Sequence, residues 1–177
     1  MKILSDYSLT ELYEVLAGFP KFRAKQVFDA IIQGKDFIDT TLPKQMQQDL
    51  SKEFILKPLE IFKTLESKDG TKKYLLKLSD ENIVECVFLK QDYGNTICMS
   101  TQVGCRMGCK FCASTLNGRV RDLTAGEMLS TIAVVNADNG KRNERNFTNI
   151  VLMGSGEPFD NYDNVVKWLE LITDKNG

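Results

Sequence analysis

Histidine is missing from all 177 residues. Its absence removes His-based triads, imidazole general bases and Cys2His2 metal sites from the chemistry this chain can carry by itself, so a bound metal must be held by sulfur or carboxylate. An excess of charge is missing too. The chain has 23 basic and 24 acidic residues, a net charge of −1. No global positive field announces a polyanion, and any RNA contact must come from a local patch. No apolar run approaches the ~20 residues of a membrane span. The N-terminus, Met1-Lys2-Ile3-Leu4-Ser5-Asp6, brings an acidic residue where a signal peptide would be apolar. No membrane contact and a cytoplasmic location are the expectation. Repeats and low-complexity segments are also lacking. What the chain does have is 42% hydrophobic residues, enough for one core or two small ones.

The hydrophobic pattern divides the chain into three segments. Residues 1–57 read as a helical N-terminal domain. Ser8-Leu9-Thr10-Glu11 has capping-box form, and Leu9, Leu12, Val15 and Leu16 follow at helical spacing. A second helix fits 22–33, with Ala24, Val27, Phe28, Ile31 and Ile32 on one face and Gly34 as its stop; a third fits 43–54. Lys21, Arg23 and Lys25 open the second helix, as a solvated face or as a weak phosphate contact. Residues 58–94 read as β-hairpin strands leading into the core. Strands at 59–66 and 72–78 flank Lys68-Asp69-Gly70, and a third at 83–89 follows the turn Ser79-Asp80-Glu81-Asn82.

In residues 95–177 strand and helix alternate: a strand over 97–103, a helix over 124–136, a charged loop over 141–146, the wholly apolar strand 150–153 and a helix over 165–173. The expected class is α/β, with a small helical domain, antiparallel strands and then the first two βα units of a partial, TIM-like barrel. Two units cannot close a barrel, so the last strand is expected to have an uncovered edge.

Five cysteines are present, and an odd number crowded into one loop does not suit a disulfide framework. Cys105, Cys109 and Cys112 stand in Cys-x3-Cys-x2-Cys spacing within Gly104-Cys105-Arg106-Met107-Gly108-Cys109-Lys110-Phe111-Cys112. Three thiolates on one short loop can hold three irons of a [4Fe–4S] cubane, leaving the fourth iron open to a non-protein ligand. That is what reductive cleavage of S-adenosylmethionine requires. The alternatives are a structural zinc site with Cys98 as fourth ligand, or plain buried thiols. Gly154-Ser155-Gly156-Glu157-Pro158 follows the apolar strand, on the same face of the sheet as the cysteine loop. Its glycines let a ligand approach the backbone, and Glu157 can receive an ammonium group, such as that of S-adenosylmethionine.

Glu85 lies in Ile83-Val84-Glu85-Cys86-Val87-Phe88-Leu89, a carboxylate among apolar neighbours that needs a partner or a raised pKa. An ion pair with Lys72 or Lys73 is the plainer explanation. Cys86 reads as core packing. Arg106, Lys110, Arg119 and Arg121 form a basic patch around the cysteine loop, either to meet RNA phosphates or to neutralise an anionic cluster.

These motifs are joined by Gln102-Val103 before Cys105, Ala113-Ser114 after Cys112, Arg121-Asp122-Leu123-Thr124-Ala125-Gly126-Glu127, Val151-Leu152-Met153 and Asn161-Tyr162. Together they resemble the RlmN/Cfr family of radical S-adenosylmethionine enzymes, the RlmN branch most closely. The resemblance implies methylation of C2 of an adenine in 23S rRNA and in tRNAs by way of a methyl-cysteine. It implies a [4Fe–4S] cluster on Cys105, Cys109 and Cys112, S-adenosylmethionine at Gly156 and Glu157, and Glu85 as proton acceptor. It also implies that Cys98 takes part in a transient disulfide with the methyl-carrying cysteine. The implied partners are the two RNAs and an electron donor such as flavodoxin or ferredoxin, with the protein a monomer. Ser155 departs from the family, which often has methionine there. No cysteine follows Cys112, so the methyl-carrying residue is absent, and the chain is expected to be an N-terminal portion inactive by itself. A Cfr-like methylation at C8 and a zinc-stabilised, non-catalytic RNA-binding module are the alternatives.

Overall fold

The computed structural model describes residues 1–141 and 144–174. After the short strand β1 (Lys2–Ile3) come α1 (Leu9–Val15), α2 (Lys21–Ile32) and α3 (Lys44–Ser51). The capping box at α1 is formed: Ser8 Oγ accepts from Glu11 N, and Glu11 Oε2 accepts from Ser8 N. In α2 the expected face is buried, Ala24, Val27, Phe28 and Ile31 being almost inaccessible. The third helix is shorter than expected. Phe54 leaves it for β2 (Phe54–Ile55), which pairs in parallel with β1 through Lys2↔Phe54 and Ile3↔Ile55. The helical segment therefore closes on itself with a small sheet that no local pattern announces.

Strands β3 (Leu59–Glu66), β4 (Lys72–Leu78) and β5 (Ile83–Leu89) form the expected antiparallel meander. The strand expected over 97–103 is broken at Ser100 and Thr101 into β6 (Thr96–Met99) and β7 (Gln102–Gly104). β7 pairs with an unforeseen strand, β8 (Arg119–Asp122), so the cysteine loop is the tip of a hairpin and not a direct strand-to-helix link. Next come α4 (Ala125–Asp138), β9 (Asn149–Val151) and α5 (Tyr162–Thr173). Residues 142 and 143 of the expected charged loop lie outside the described residues.

One mixed sheet, in the order β3-β4-β5-β6-β9, spans the meander and the α/β region. β6 and β9 run parallel, as the strand–helix–strand pattern implied, and β9 has a single neighbour in the sheet. α4 packs on β3 and β6, and α2 and α5 pack on α4. The face beneath α4 is built from the alternating inward residues Tyr74, Leu76, Val84, Cys86, Phe88, Ile97 and Met99, aligned by Tyr74↔Cys86, Leu76↔Val84, Cys86↔Met99 and Phe88↔Ile97. Each such apolar side chain contributes about 1.5–3 kcal/mol by leaving water. The Tyr74 hydroxyl, carried inside, donates to Asp138 Oδ2 at 2.7 Å and accepts from Asn139 Nδ2 at 2.8 Å.

The N-terminal segment belongs to the same core. Asp6 Oδ1 accepts from Gly126 N at 2.6 Å, Ser5 Oγ donates to Gly126 O at 3.0 Å, and Lys167 pairs with Glu11 at 2.8 Å. The first turn of α4 is thus clamped from outside, and α4 sets where the hairpin before it begins.

Candidate active site

Two loops leave the carboxyl ends of the parallel neighbours β6 and β9, aligned by Ile97↔Ile150 and Cys98↔Val151. The first is the hairpin tip between β7 and β8. Its root is closed by Cys105 N donating to Gly118 O at 3.1 Å. Gly104 sits at φ +73° against Gly118, leaving no room for a side chain. Cys105 is buried at this root, Cys109 is exposed at the tip, and Cys112 is half-buried where a short 3-10 turn starts. Cys112 N donates to Cys109 O at 3.0 Å and Thr115 Oγ1 to Cys112 O at 3.0 Å, a local turn that brings the last two cysteines round.

The second loop, 154–158, is sewn onto the end of β6. Gly154 N donates to Met99 O at 3.1 Å, Ser155 N to Ser100 Oγ at 3.0 Å, and Ser155 O accepts from Thr101 N at 2.9 Å and Gln102 N at 3.2 Å. These bonds use the backbone of Ser155 and not its side chain. Gly156, at φ +103°, lies so close to Gln102 that a Cβ would come within 2.8 Å of the Gln102 amide nitrogen. Glu157 N donates to Gln102 Oε1 at 3.0 Å, and Glu157 Oε1 accepts from Phe159 N at 3.2 Å, opening the turn Pro158–Asn161.

Glu85 is on the sheet face opposite α4. It does have a partner: Lys73 Nζ lies 2.7 Å from Oε1, and both side chains are about half exposed. Its backbone is tied to the two loops, because Ser100 Oγ donates to Glu85 O at 2.8 Å while accepting from Ser155 N. Cys98 is on the same face, half-buried, opposite Val87, and burial pushes its thiol pKa up. Cys86 faces the core, as expected, and burial raises its thiol further. All five cysteines are free thiols, so the disulfide implied for Cys98 has no counterpart among the described residues.

The basic patch is not a free surface. Arg106 grips Asp160 with both Nε and a terminal nitrogen, holding the Asp160 carboxyl below the usual carboxylate range. Arg119 pairs with Asp122 at 2.7 Å. Arg121 makes a two-pronged contact with the buried Glu127, at 2.7 and 2.8 Å, and a third bond to Asp80 at 2.6 Å. That arginine depresses Asp80 from an ordinary 3.8 to about 2. Glu127 also completes the capping box of α4 with Thr124. Among the described residues Lys110 alone of the four bases makes no ion pair.

Sequence reasoning gave no joining role to the polar set between the loops: Ser100, Thr101, Gln102, Asp160 and Asn161. Asn161 is buried and donates to Thr101 O and Leu123 O, both at 2.8 Å. The available signal was a polar run, Ser100-Thr101-Gln102, placed where a buried strand should have been apolar.

Among the described residues no three Cys, Asp or Glu side chains converge closely enough to share one metal ion.

Residues 99–177 match the Radical SAM superfamily. Over its whole length the chain is 50% identical to a protein of Clostridium acetobutylicum named as a probable dual-specificity RNA methyltransferase RlmN, of which it covers 52%. The protein of the same name from Clostridium perfringens strain 13 is also 50% identical, with 52% covered. The crystal structure of a radical SAM methyltransferase from Sphaerobacter thermophilus superimposes with a TM-score of 0.91 at 36% identity, over 100% of this chain and 53% of the other. The chain spans about half the length of the curated relatives it matches.

Proposed function

The chain belongs to the RlmN-type radical S-adenosylmethionine proteins, and from that premise we propose that it supplies the cluster-binding and co-substrate-binding part of an RNA methyltransferase. The reaction proposed is methylation of C2 of an adenine in 23S rRNA and in tRNAs by way of a methyl-cysteine. The observation that carries the reading is the union of two loops at neighbouring strand ends: the hairpin tip with three free thiols and the glycine-rich turn with Glu157, bonded through Ser100, Thr101 and Gln102.

The donor set fits a [4Fe–4S] cluster. Cys105, Cys109 and Cys112 share one loop, while Cys86 is sealed in the core and Cys98 sits on a strand, so three thiolates and not four are offered. Cys105, Cys109 and Cys112 would hold the cluster, which would supply an open iron for S-adenosylmethionine to chelate and the electron for its reductive cleavage. An electron donor such as flavodoxin or ferredoxin would supply that electron.

The chain's own residues have distinct tasks. Glu157 would accept a hydrogen bond from the amino group of S-adenosylmethionine, one carboxylate oxygen being fixed by Phe159 N. Gly156 would keep the backbone close enough for that contact. Glu85 would accept the proton released when the methylated base is freed, with Lys73 fixing where its carboxylate sits. Cys98, on the same face, would be the partner of the methyl-carrying cysteine in the transient disulfide.

Anaerobic reconstitution with iron and sulfide, followed by EPR of the reduced protein with and without S-adenosylmethionine, tests the reading. A cubane signal that changes on addition of S-adenosylmethionine is expected. Protein that takes up zinc and no iron, or a cluster signal indifferent to S-adenosylmethionine, would overturn it.

A further inference from the structure

We propose that Gln102 is a positioning residue that sets the co-substrate loop against the cysteine loop, so that occupancy at one is felt at the other. The inference rests on the functional reading above and assigns a role to a residue which that reading leaves without one.

Gln102 is completely buried. Its side-chain amide makes three bonds: Nε2 donates to Asp122 Oδ1 at 2.7 Å and to Asp160 Oδ2 at 2.9 Å, and Oε1 accepts from Glu157 N at 3.0 Å. Both N–H donors are used, and each partner leads to a different part of the site. Asp160 holds Arg106, the residue after Cys105. Asp122 holds Arg119, the residue after Gly118, whose carbonyl anchors Cys105 N. Glu157 is the carboxylate proposed for the amino group of S-adenosylmethionine. Both legs of the cysteine hairpin and the root of the co-substrate loop therefore converge on one amide.

An amide is the group this junction requires. Two carboxylates on one side need donors, and a backbone N–H on the other needs an acceptor; Gln supplies both without charge. Glutamate would keep the acceptor but press a third carboxylate on the other two. Leucine would strand the Glu157 N–H yet leave each aspartate its arginine, so the hairpin keeps its ion pairs. The core face of the sheet, built on Tyr74, Phe88 and Met99, lends Gln102 no side-chain hydrogen bond, which separates its role from packing.

The test compares the reconstituted wild-type chain with Gln102→Leu, Gln102→Glu and the double variant Gln102→Glu/Asp122→Asn. Iron and sulfide content, S-adenosylmethionine affinity from the EPR change, and amide hydrogen exchange over 105–118 and 154–160 are measured on each. In the wild type, S-adenosylmethionine should slow exchange in both segments. Gln102→Leu should keep its iron and sulfide but bind S-adenosylmethionine about tenfold more weakly, the worth of the one of its three bonds that holds the co-substrate loop, to Glu157 N, and should no longer transmit protection to 105–118. Gln102→Glu should be weaker still, and Asp122→Asn should restore it by returning a donor to the pair. Wild-type affinity and protection in Gln102→Leu, or loss of iron in step with loss of thermal stability, would overturn the inference while leaving the functional reading intact. A wild-type cluster that ignores S-adenosylmethionine would overturn both.

Discussion

The two faces of the five-stranded sheet are built by different means. Beneath α4, Tyr74, Leu76, Val84, Cys86, Phe88, Ile97 and Met99 are almost wholly inaccessible, and area removed from water holds them. On the opposite face Lys73, Glu85, Val87, Cys98 and Val151 are partly exposed, and what holds them is a chain of named bonds: Lys73 to Glu85, Ser100 to Glu85, and Ser155 to Ser100. Two thiols mark the contrast. Cys86 and Cys98 sit on paired strands one register step apart, yet Cys86 is 1% exposed and Cys98 faces the open side. Apart from Tyr74, whose hydroxyl is bonded to Asp138 and Asn139, a side chain on the first face tolerates an apolar replacement of similar volume. On the second face its functional groups cannot be exchanged, and the residues proposed for chemistry lie there or on the loops it feeds.

The contrast can be broken from either side. Cys109→Ala should abolish iron binding altogether, measured by iron and sulfide analysis after reconstitution, while shifting the unfolding free energy of the apo-protein by less than about 0.5 kcal/mol, because Cys109 is exposed. Met99→Ala, on the packed face, should do the reverse at the level of folding. A cavity beside Cys86 and α4 should lower stability by about 2–5 kcal/mol in denaturant titration. Gly156→Ala should cost about 1–3 kcal/mol, since φ is +103° and the new methyl would press on Gln102, and it should weaken S-adenosylmethionine binding at unchanged iron content.

Acid titration gives a smaller effect. Asp80 is held at about 2 by Arg121, below its ordinary 3.8. Its contribution to stability is therefore full above about pH 4 and fades as pH falls through 2. The stability difference between wild type and Asp80→Asn should be flat at neutral pH and vanish toward pH 2; a difference that grew on acidification would refute the pairing. Smallest of all, Glu85→Gln should change stability by less than about 1 kcal/mol, because its ion pair with Lys73 is solvent-exposed. Methyl transfer in the whole enzyme should fall sharply with the same substitution.

Much of this was legible in the chain. Ser8 and Glu11 announced the start of α1, Lys68-Asp69-Gly70 announced the β3–β4 turn, and Thr124 with the apolar spacing after it announced α4. The cysteine spacing and the turn Gly154–Pro158 pointed to two loops on one side of a parallel pair, and β6 and β9 are that pair. What escaped were features with no local period. β1 and β2 have two residues each, and their pairing joins Lys2 to Phe54. β8 reads Arg119-Val120-Arg121-Asp122, a charged stretch that becomes a strand because β7 lies beside it. The basic patch was open to two readings, RNA phosphates or an anionic cluster, because charge is visible in a sequence and the carboxylates that consume it, Asp160, Asp122, Glu127 and Asp80, are up to 54 residues away.

The sequence by itself determined the elements and the chemistry on offer. Side-chain periodicity, capping residues and the spacing of three thiols act within a few residues of each other, and backbone geometry turns them into helices, strands and a ligand loop wherever they occur. The tertiary structure alone decided which polar groups answer one another. Whether Arg106 meets RNA or Asp160, whether Glu85 stands alone or beside Lys73, and whether Gln102 is filler or a junction depends on contacts between distant segments. Burial raises the cost of an unmatched polar group, so at Gln102 and Asp160 those contacts have to be satisfied together.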